Sequence, residues 1–367
     1  MTQKNYIIPD DTRARFESWW RRSSIGRPML WFSARRDNPR PGSDAPPAFT
    51  AAEQQFTDVE LQIRHYRHFL DHNVPMAEAY PNFSADLGPG SMALYLGAKP
   101  VYAWDTLWFE ACINEWDDYG NLSFAPDNHW WQMHLAMVRR ARELADGGFL
   151  VNIPDIIENV DILASLRGPQ NLCFDLVDDG PRMKRCVEQV DDLYFTYYDA
   201  MYDIVKAADG SCSYTAFHIW GPGRTAKIQC DFCAMMSPPQ FREFVQDSLR
   251  KQCRRLDNSL YHLDGPDAIK HVDALMEIEE LDALQWTCGA GQPDGGSERW
   301  YPIYEKVRAA DKSLHISLED GTLEDGIRAV NRLVNRFGSD GLYLLFWHDI
   351  NETEGQRLIE HAEKHWR

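Results

Sequence analysis

Basic residues are in short supply in this chain: 38 lysines and arginines stand against 56 aspartates and glutamates, a formal charge of -18 at pH 7. That balance repels a phosphate backbone and an anionic membrane surface alike, which argues against nucleic acid and lipid headgroups as partners. Long apolar runs are missing too. No stretch approaches the roughly 18 uninterrupted apolar residues of a membrane helix, and Met1–Asp11 is polar where a secretion signal needs an apolar heart. The expectation is a cytoplasmic protein. Cysteine is thin and scattered, eight residues at positions 112, 173, 186, 212, 230, 233, 253 and 288, unlike the dense framework of a small secreted domain. Cys230 and Cys233 form one CxxC pair, half a structural zinc site at best, and plain buried thiols account for it as well. No internal repeat is visible.

What is present suffices for a large core. With 367 residues, 44% of them hydrophobic, the chain has the length of one large α/β barrel or of two smaller domains. Asp10-Asp11-Thr12 opens a helix to about Arg22, and Arg27-Pro28 starts an extended run, Met29–Phe32, followed by Arg35 and Arg36. Residues 37–50 are rich in proline and polar residues and read as a loop, and residues 51–70 read as helix. From Val74 onward short apolar runs alternate with helical patterns, the signature of parallel strands joined by crossover helices. Strands are predicted near 74–79 and over 149–153, 213–217, 226–230, 259–263, 283–287, 314–318 and 342–347. About eight strands with helices between most of them favour a single closed (β/α)8 TIM barrel, with residues 1–60 as an N-terminal helical extension over one end.

In such a fold, residues just past the carboxyl ends of the strands share one cavity. The stretch Ser259-Leu260-Tyr261-His262-Leu263-Asp264-Gly265-Pro266 ends a strand on His262 and Asp264, which are two apart and so face the same way, toward one metal ion or one substrate group. The same rule gathers Glu78, Tyr80, Asp155, His218, Trp220, Asp231, Gln285, Cys288, Glu319, His348 and Asp349. Buried ionisable groups are costly unless paired or used, and their accumulation here points to chemistry. Bland roles stand beside it: Asp264 as a helix cap, His218 as a loop brace, Gln285 as filling, Cys288 as a small hydrophobe, Asp231 bonded to backbone, and His348-Asp349 as a helix start. With 13 Trp, 15 Tyr and 17 Phe there are rings enough to wall a pocket for a flat or methylated ligand, although most have core packing to do.

The run Asp231-Phe232-Cys233-Ala234-Met235-Met236-Ser237-Pro238-Pro239-Gln240-Phe241-Arg242-Glu243-Phe244 resembles the D…SPxxFxEF segment of uroporphyrinogen decarboxylase and its cobamide-dependent methyltransferase relatives. Leu166-Arg167-Gly168-Pro169 with Asp178-Asp179-Gly180-Pro181 is similar to that superfamily's GP…L…DDPE region, and Tyr261–Gly265 lies near its HxCG motif. The resemblance spans about residues 150 to 365 and implies a (β/α)8 barrel. In the methyltransferase branch the His and Cys of HxCG and a distant cysteine hold zinc. Here His262 matches, Asp264 replaces the cysteine, and His348 and Cys288 are the further ligand candidates.

The resemblance therefore implies a methyltransferase that moves a methyl group between a small O- or N-methyl compound and a corrinoid carried by a partner protein. His262, Asp264, Cys288 and His348 would hold zinc, and Asp231, Glu319 or His218 would transfer protons. Arg35, Arg36, Tyr80, Trp220 and Gln285 are the substrate-binding candidates, and a homodimer is a further expectation. A decarboxylase-like lyase without metal, in which Arg35 and Arg36 grip a carboxylate, and a non-catalytic ligand-binding barrel are the alternatives. Thiol titration of the denatured, unreduced protein should find all eight cysteines free; loss of thiols in pairs would contradict the reducing compartment inferred above.

Overall fold

A computed structural model describes residues 6–41 and 44–367. The first five residues of the polar Met1–Asp11 stretch and residues 42 and 43 of the expected loop lie outside the described residues. The strands, in chain order, are β1 (Met29–Arg35), β2 (Asn73–Ala77), β3 (Asn82–Phe83), β4 (Lys99–Tyr102), β5 (Leu107–Glu110), β6 (Leu150–Val151) and β7 (Cys212–Tyr214). They continue with β8 (Ile219–Gly221), β9 (Thr225–Gln229), β10 (Asn258–Asp264), β11 (Ala283–Thr287), β12 (Ser313–Leu318) and β13 (Leu342–Phe346). Seven of them form one sheet in the order β2-β1-β13-β12-β11-β10-β9, parallel throughout except where β2 meets β1. β3 pairs with β6 in parallel, and a bridge from Ile153 to Tyr214 carries the parallel direction on to β7. β7 and β8 form an antiparallel hairpin, as do β4 and β5. This is an α/β fold with a mostly parallel central sheet.

Both faces of the sheet are covered, and the strands read accordingly: all five residues of β13 and of β9 are buried. The helices that cover it start with clear signals. Thr322 with Asp325, and Asn351 with Glu354, form reciprocal capping boxes that open Leu323–Phe337 and Glu352–His365 just after β12 and β13. Both first turns therefore sit at the carboxyl edge of the sheet.

The amino edge is closed by the first helix, Asp10–Trp20. Its fully buried Phe16 stands edge-on to Tyr80, Trp220 and Tyr343. The Trp19 indole donates to the Leu314 carbonyl (3.2 Å), and its own carbonyl accepts from the Ser313 hydroxyl (2.5 Å). Each such ring removes enough apolar surface from water to contribute on the order of 2–3 kcal/mol. The part of residues 1–60 that acts as a cover is thus shorter than expected, because Met29–Arg35 is a strand of the sheet itself.

Glu78 clamps this end. It takes a two-pronged bond from Arg27 (2.8 Å each), accepts the Leu30 N–H (2.7 Å) and lies 3.4 Å from the Arg15 guanidinium. Glu78 and Arg27 are both buried. Glu78→Ala should therefore lower stability by about 3–5 kcal/mol, because it strands a buried guanidinium. Urea unfolding measures this, and a loss below ~1 kcal/mol would show the pair to be dispensable.

Candidate functional site

The site grows from one row of polar side chains crossing an otherwise apolar sheet. In register, Gln229, His262, Gln285, His315 and Tyr343 are neighbours across β9 to β13. His262 Nδ1 lies 2.5 Å from Gln285 Oε1, and the Gln285 amide nitrogen donates to Thr287 Oγ1 (3.0 Å). An amide oxygen only accepts, so Nδ1 carries the proton and Nε2 presents its lone pair. Burial, then the nearby Lys227, lowers the pKa of His262, which keeps that lone pair free.

Two residues along β10, Asp264 shares the direction of His262, as the alternation of a strand requires. Asp231, just beyond β9, joins them. One ligand atom from each of Asp231, His262 and Asp264 lies within 4.8 Å of the others. Such an oxygen, oxygen, nitrogen set suits a divalent cation of intermediate hardness.

Behind the trio is an acidic interior built around one lysine. The Lys227 ammonium pairs with Asp155 (2.8 Å) and also donates to Gln229 Oε1. The Gln229 amide nitrogen then donates to Asp161 (3.0 Å) and to Asp231 Oδ2 (2.9 Å). Glu158 accepts the Gln229 N–H (2.6 Å), leaving its second oxygen without a partner, and Asp161 accepts the N–H groups of Asp231 and Phe232 (2.8 Å each). Asp231 is exposed to solvent, yet the surrounding protein, followed by the charge of Asp161, pushes its pKa up to about 7 against the pull of Lys227. Burial raises Glu158 well above the carboxylate range. Burial pulls Lys227 down, but Asp155 and Glu158 outweigh it and the net shift is upward.

The tip of the β7–β8 hairpin fills the interior beside this row. Phe217 and His218 have φ of 60° and 50°, a left-handed conformation that is costly for residues with a Cβ. Their carbonyls accept from His315 Nε2 and the Tyr343 hydroxyl (3.0 Å each), which holds the tip in place. The His218 ring stacks on Trp31 at 3.7 Å, and burial lowers its pKa to about 4. It is a neutral wall of the interior, not a member of the trio.

The remaining candidates are dispersed. Cys288 and Glu319 line a cavity of about 400 Å³ with Asp264 but stand outside the trio, and burial pushes the Cys288 thiol up to about 12. His348 lies in a second cavity of about 600 Å³. Along β13, Tyr343 bonds into the interior and Trp347 faces Trp31, so His348 has the opposite parity; its ring lies near Phe346 and would touch a Cβ placed at Gly326 of the neighbouring helix. Arg35 is bound to Asp349 (2.7 Å) on the exposed surface, and Arg36 to the Leu70 carbonyl (3.2 Å) with Glu352 3.7 Å away, so both guanidinium groups have partners within the protein. Tyr80 and Trp220 are a correction: both are buried beside Phe16 at the amino edge, because β2 and β8 run antiparallel and their carboxyl ends point away from the site. Glu78 is displaced for the same reason.

Sequence searches find no matching family model and no matching curated protein. Solved structures do match. Among them is a methyltransferase from Methanosarcina mazei, with a TM-score of 0.63 and 11% identity over 96% of this chain and 98% of that one. The likeness is one of fold.

Lys227, Glu158 and Asp161 were not among the residues expected from sequence. The signal for Lys227 was a charge in the middle of the apolar strand Thr225-Ala226-Lys227-Ile228-Gln229. The other two lie at the start of a helix and carry no pattern of their own.

The Asp231 shift has a sign that can be tested in metal-free protein. The unfolded carboxyl ionises near its ordinary value of 3.8 and the folded one near 7, so folding is opposed increasingly as pH rises between them and by a constant amount above. Asp231→Asn should therefore raise stability at pH 8, with the gain closing as pH falls to about 4. A gain independent of pH in urea unfolding would refute the shift.

Proposed function

We propose that this chain is a methyltransferase that moves a methyl group between a small O- or N-methyl compound and a corrinoid carried by a partner protein. The reading takes the strands as a (β/α)8 barrel and the trio as a site for a divalent ion, zinc in first place. The observation that carries it is the convergence of Asp231, His262 and Asp264 at the carboxyl edge of parallel strands. The fold likeness to a methyltransferase over nearly the whole of both chains supports it.

The bound ion would supply Lewis acidity to the heteroatom that loses or accepts the methyl. The protein's own residues set up the rest. Gln285 fixes the tautomer of His262, and Gln229 takes one oxygen of Asp231, leaving the other for the ion. Glu319 lines the same cavity as Asp264; burial, then Asp294 and Asp320, raises its pKa, which suits a carboxyl that protonates a leaving oxygen or nitrogen. The donor set contains no thiolate, which favours an oxygen or nitrogen centre over a thiol acceptor.

The test is metal binding followed by turnover. Metal-free protein should take up one Co²⁺ or Zn²⁺ per chain; His262→Ala should weaken binding by about tenfold or more, whereas His348→Ala changes it less than about twofold. With metal and a methylated corrinoid, the visible spectrum should report methyl loss or gain when the right small compound is present. Failure to retain any ion, together with an unchanged corrinoid spectrum across O- and N-methyl donors, would end this reading.

A further inference from the structure

The cavity beside Asp264 and the one that holds His348 meet at Glu319, which lines both. Their walls are acidic on both sides. Asp264, Asp294 and Asp320 join Glu319 in the smaller; Glu324, Asp349 and Glu354 join it in the larger. Arg357 is the cationic side chain lining the larger cavity, and Arg35 nearby is bound to Asp349. A cavity of one sign focuses its field on ligands of the other.

Carboxylates alone do not define a ligand, and two further features narrow it. Trp347 lines the larger cavity with half its surface exposed, and its ring lies 5.8 Å from that of Trp31 at 52°. Trp31 is buried and stacked on His218, so it backs the Trp347 indole, whose exposed surface is the part that attracts a soft organic cation. His348 is the second feature. It is 9% exposed, it lines the same cavity, and neither ring nitrogen has a partner. A buried imidazole without partners is destabilising, and a ligand bearing a hydroxyl or carboxylate relieves it. Glycine at 326, inside a helix, leaves the room the ring occupies: a Cβ there would lie 3.0 Å from His348 Cε1.

We propose that these joined cavities bind a small substituted ammonium ion carrying a hydrogen-bonding group, with the cationic head between Trp347 and Glu319 and the polar end at His348. The idea deepens the methyl-transfer reading, which would make an N-methyl group on that head the one transferred, but the binding itself does not depend on it.

Calorimetry on the whole, metal-free protein tests this with choline, tetramethylammonium, acetate and the neutral isostere of choline in which carbon replaces the quaternary nitrogen. Choline should bind, with the isostere and acetate at least about tenfold weaker. Trp347→Leu should weaken choline by about tenfold while Trp347→Phe retains most of the affinity, and Glu319→Gln should weaken it severalfold. His348→Leu should weaken choline and leave tetramethylammonium unchanged, because only choline has the hydroxyl. Circular dichroism confirms that each variant is folded.

Isostere binding within about twofold of choline would overturn the cation site, as would preferred binding of acetate or no heat with either ammonium ion. Equal losses for both ammonium ions in His348→Leu would overturn the role of His348. If the cations fail to bind while an uncharged methyl donor turns over, this inference fails and the methyl-transfer reading survives. Cation binding without any methyl transfer gives the converse.

Discussion

A single buried ammonium keeps the acidic interior of this protein foldable. Lys227 sits among Asp155, Glu158, Asp161 and Asp231, and its pairing with Asp155 is almost wholly out of water. Carboxylates packed this closely cannot all ionise without a counter-charge, and breaking one buried pair costs about 3–5 kcal/mol. Lys227 also fixes position. By donating to Gln229 Oε1 it turns the amide nitrogen toward Asp161 and Asp231, so the outermost acid is held by a chain that begins inside the core. The site at the surface inherits its geometry from a charge that solvent scarcely reaches.

How much of this was legible follows from how strands announce themselves. β10 reads clearly because its apolar alternation ends abruptly at Gly265-Pro266, and the pair His262 and Asp264 falls two apart at its end. The last two helices are equally plain, since their capping boxes lie in the sequence as written. Direction is what the sequence hides. An apolar run says that a strand exists but not which way it points: taking 74–79 as parallel placed Glu78 and Tyr80 at the wrong edge, and missing the return strand β8 did the same for Trp220. Parity is the second hidden quantity: a one-residue step just past β13 separates Trp347, whose ring lies against Trp31, from His348, whose ring lies against Gly326 of the neighbouring helix. The hairpin tip at Phe217 and His218 was out of reach altogether, because nothing in Ala216-Phe217-His218-Ile219 marks two residues of positive φ.

That tip links the strained backbone to the chemistry. His315 and Tyr343, both members of the polar row, are used to hold the carbonyls of Phe217 and His218. The row therefore has two tasks: its β10–β11 part presents Nε2 of His262 to Asp231 and Asp264, and its β12–β13 part anchors the hairpin tip whose His218 ring stacks on Trp31. A backbone conformation that is unfavourable locally persists because several directed bonds converge on it. The trio and the aromatic wall are accordingly parts of one construction.

The charge distribution gives the construction its direction. The carboxylates increase from a core where one lysine offsets them to a mouth where Glu319, Asp320 and Asp294 stand together with little basic charge nearby. An anion approaching this mouth meets repulsion, whereas a cation or a metal ion meets attraction. This is the opposite of what a barrel built to grip carboxylates requires, and it agrees with the finding that Arg35 and Arg36, the nearest candidates for such a grip, are already bound to acids and carbonyls of the protein itself. The excess of acid noted first in the composition is thus, at this edge of the sheet, a local property with a chemical consequence: it favours cationic over anionic ligands.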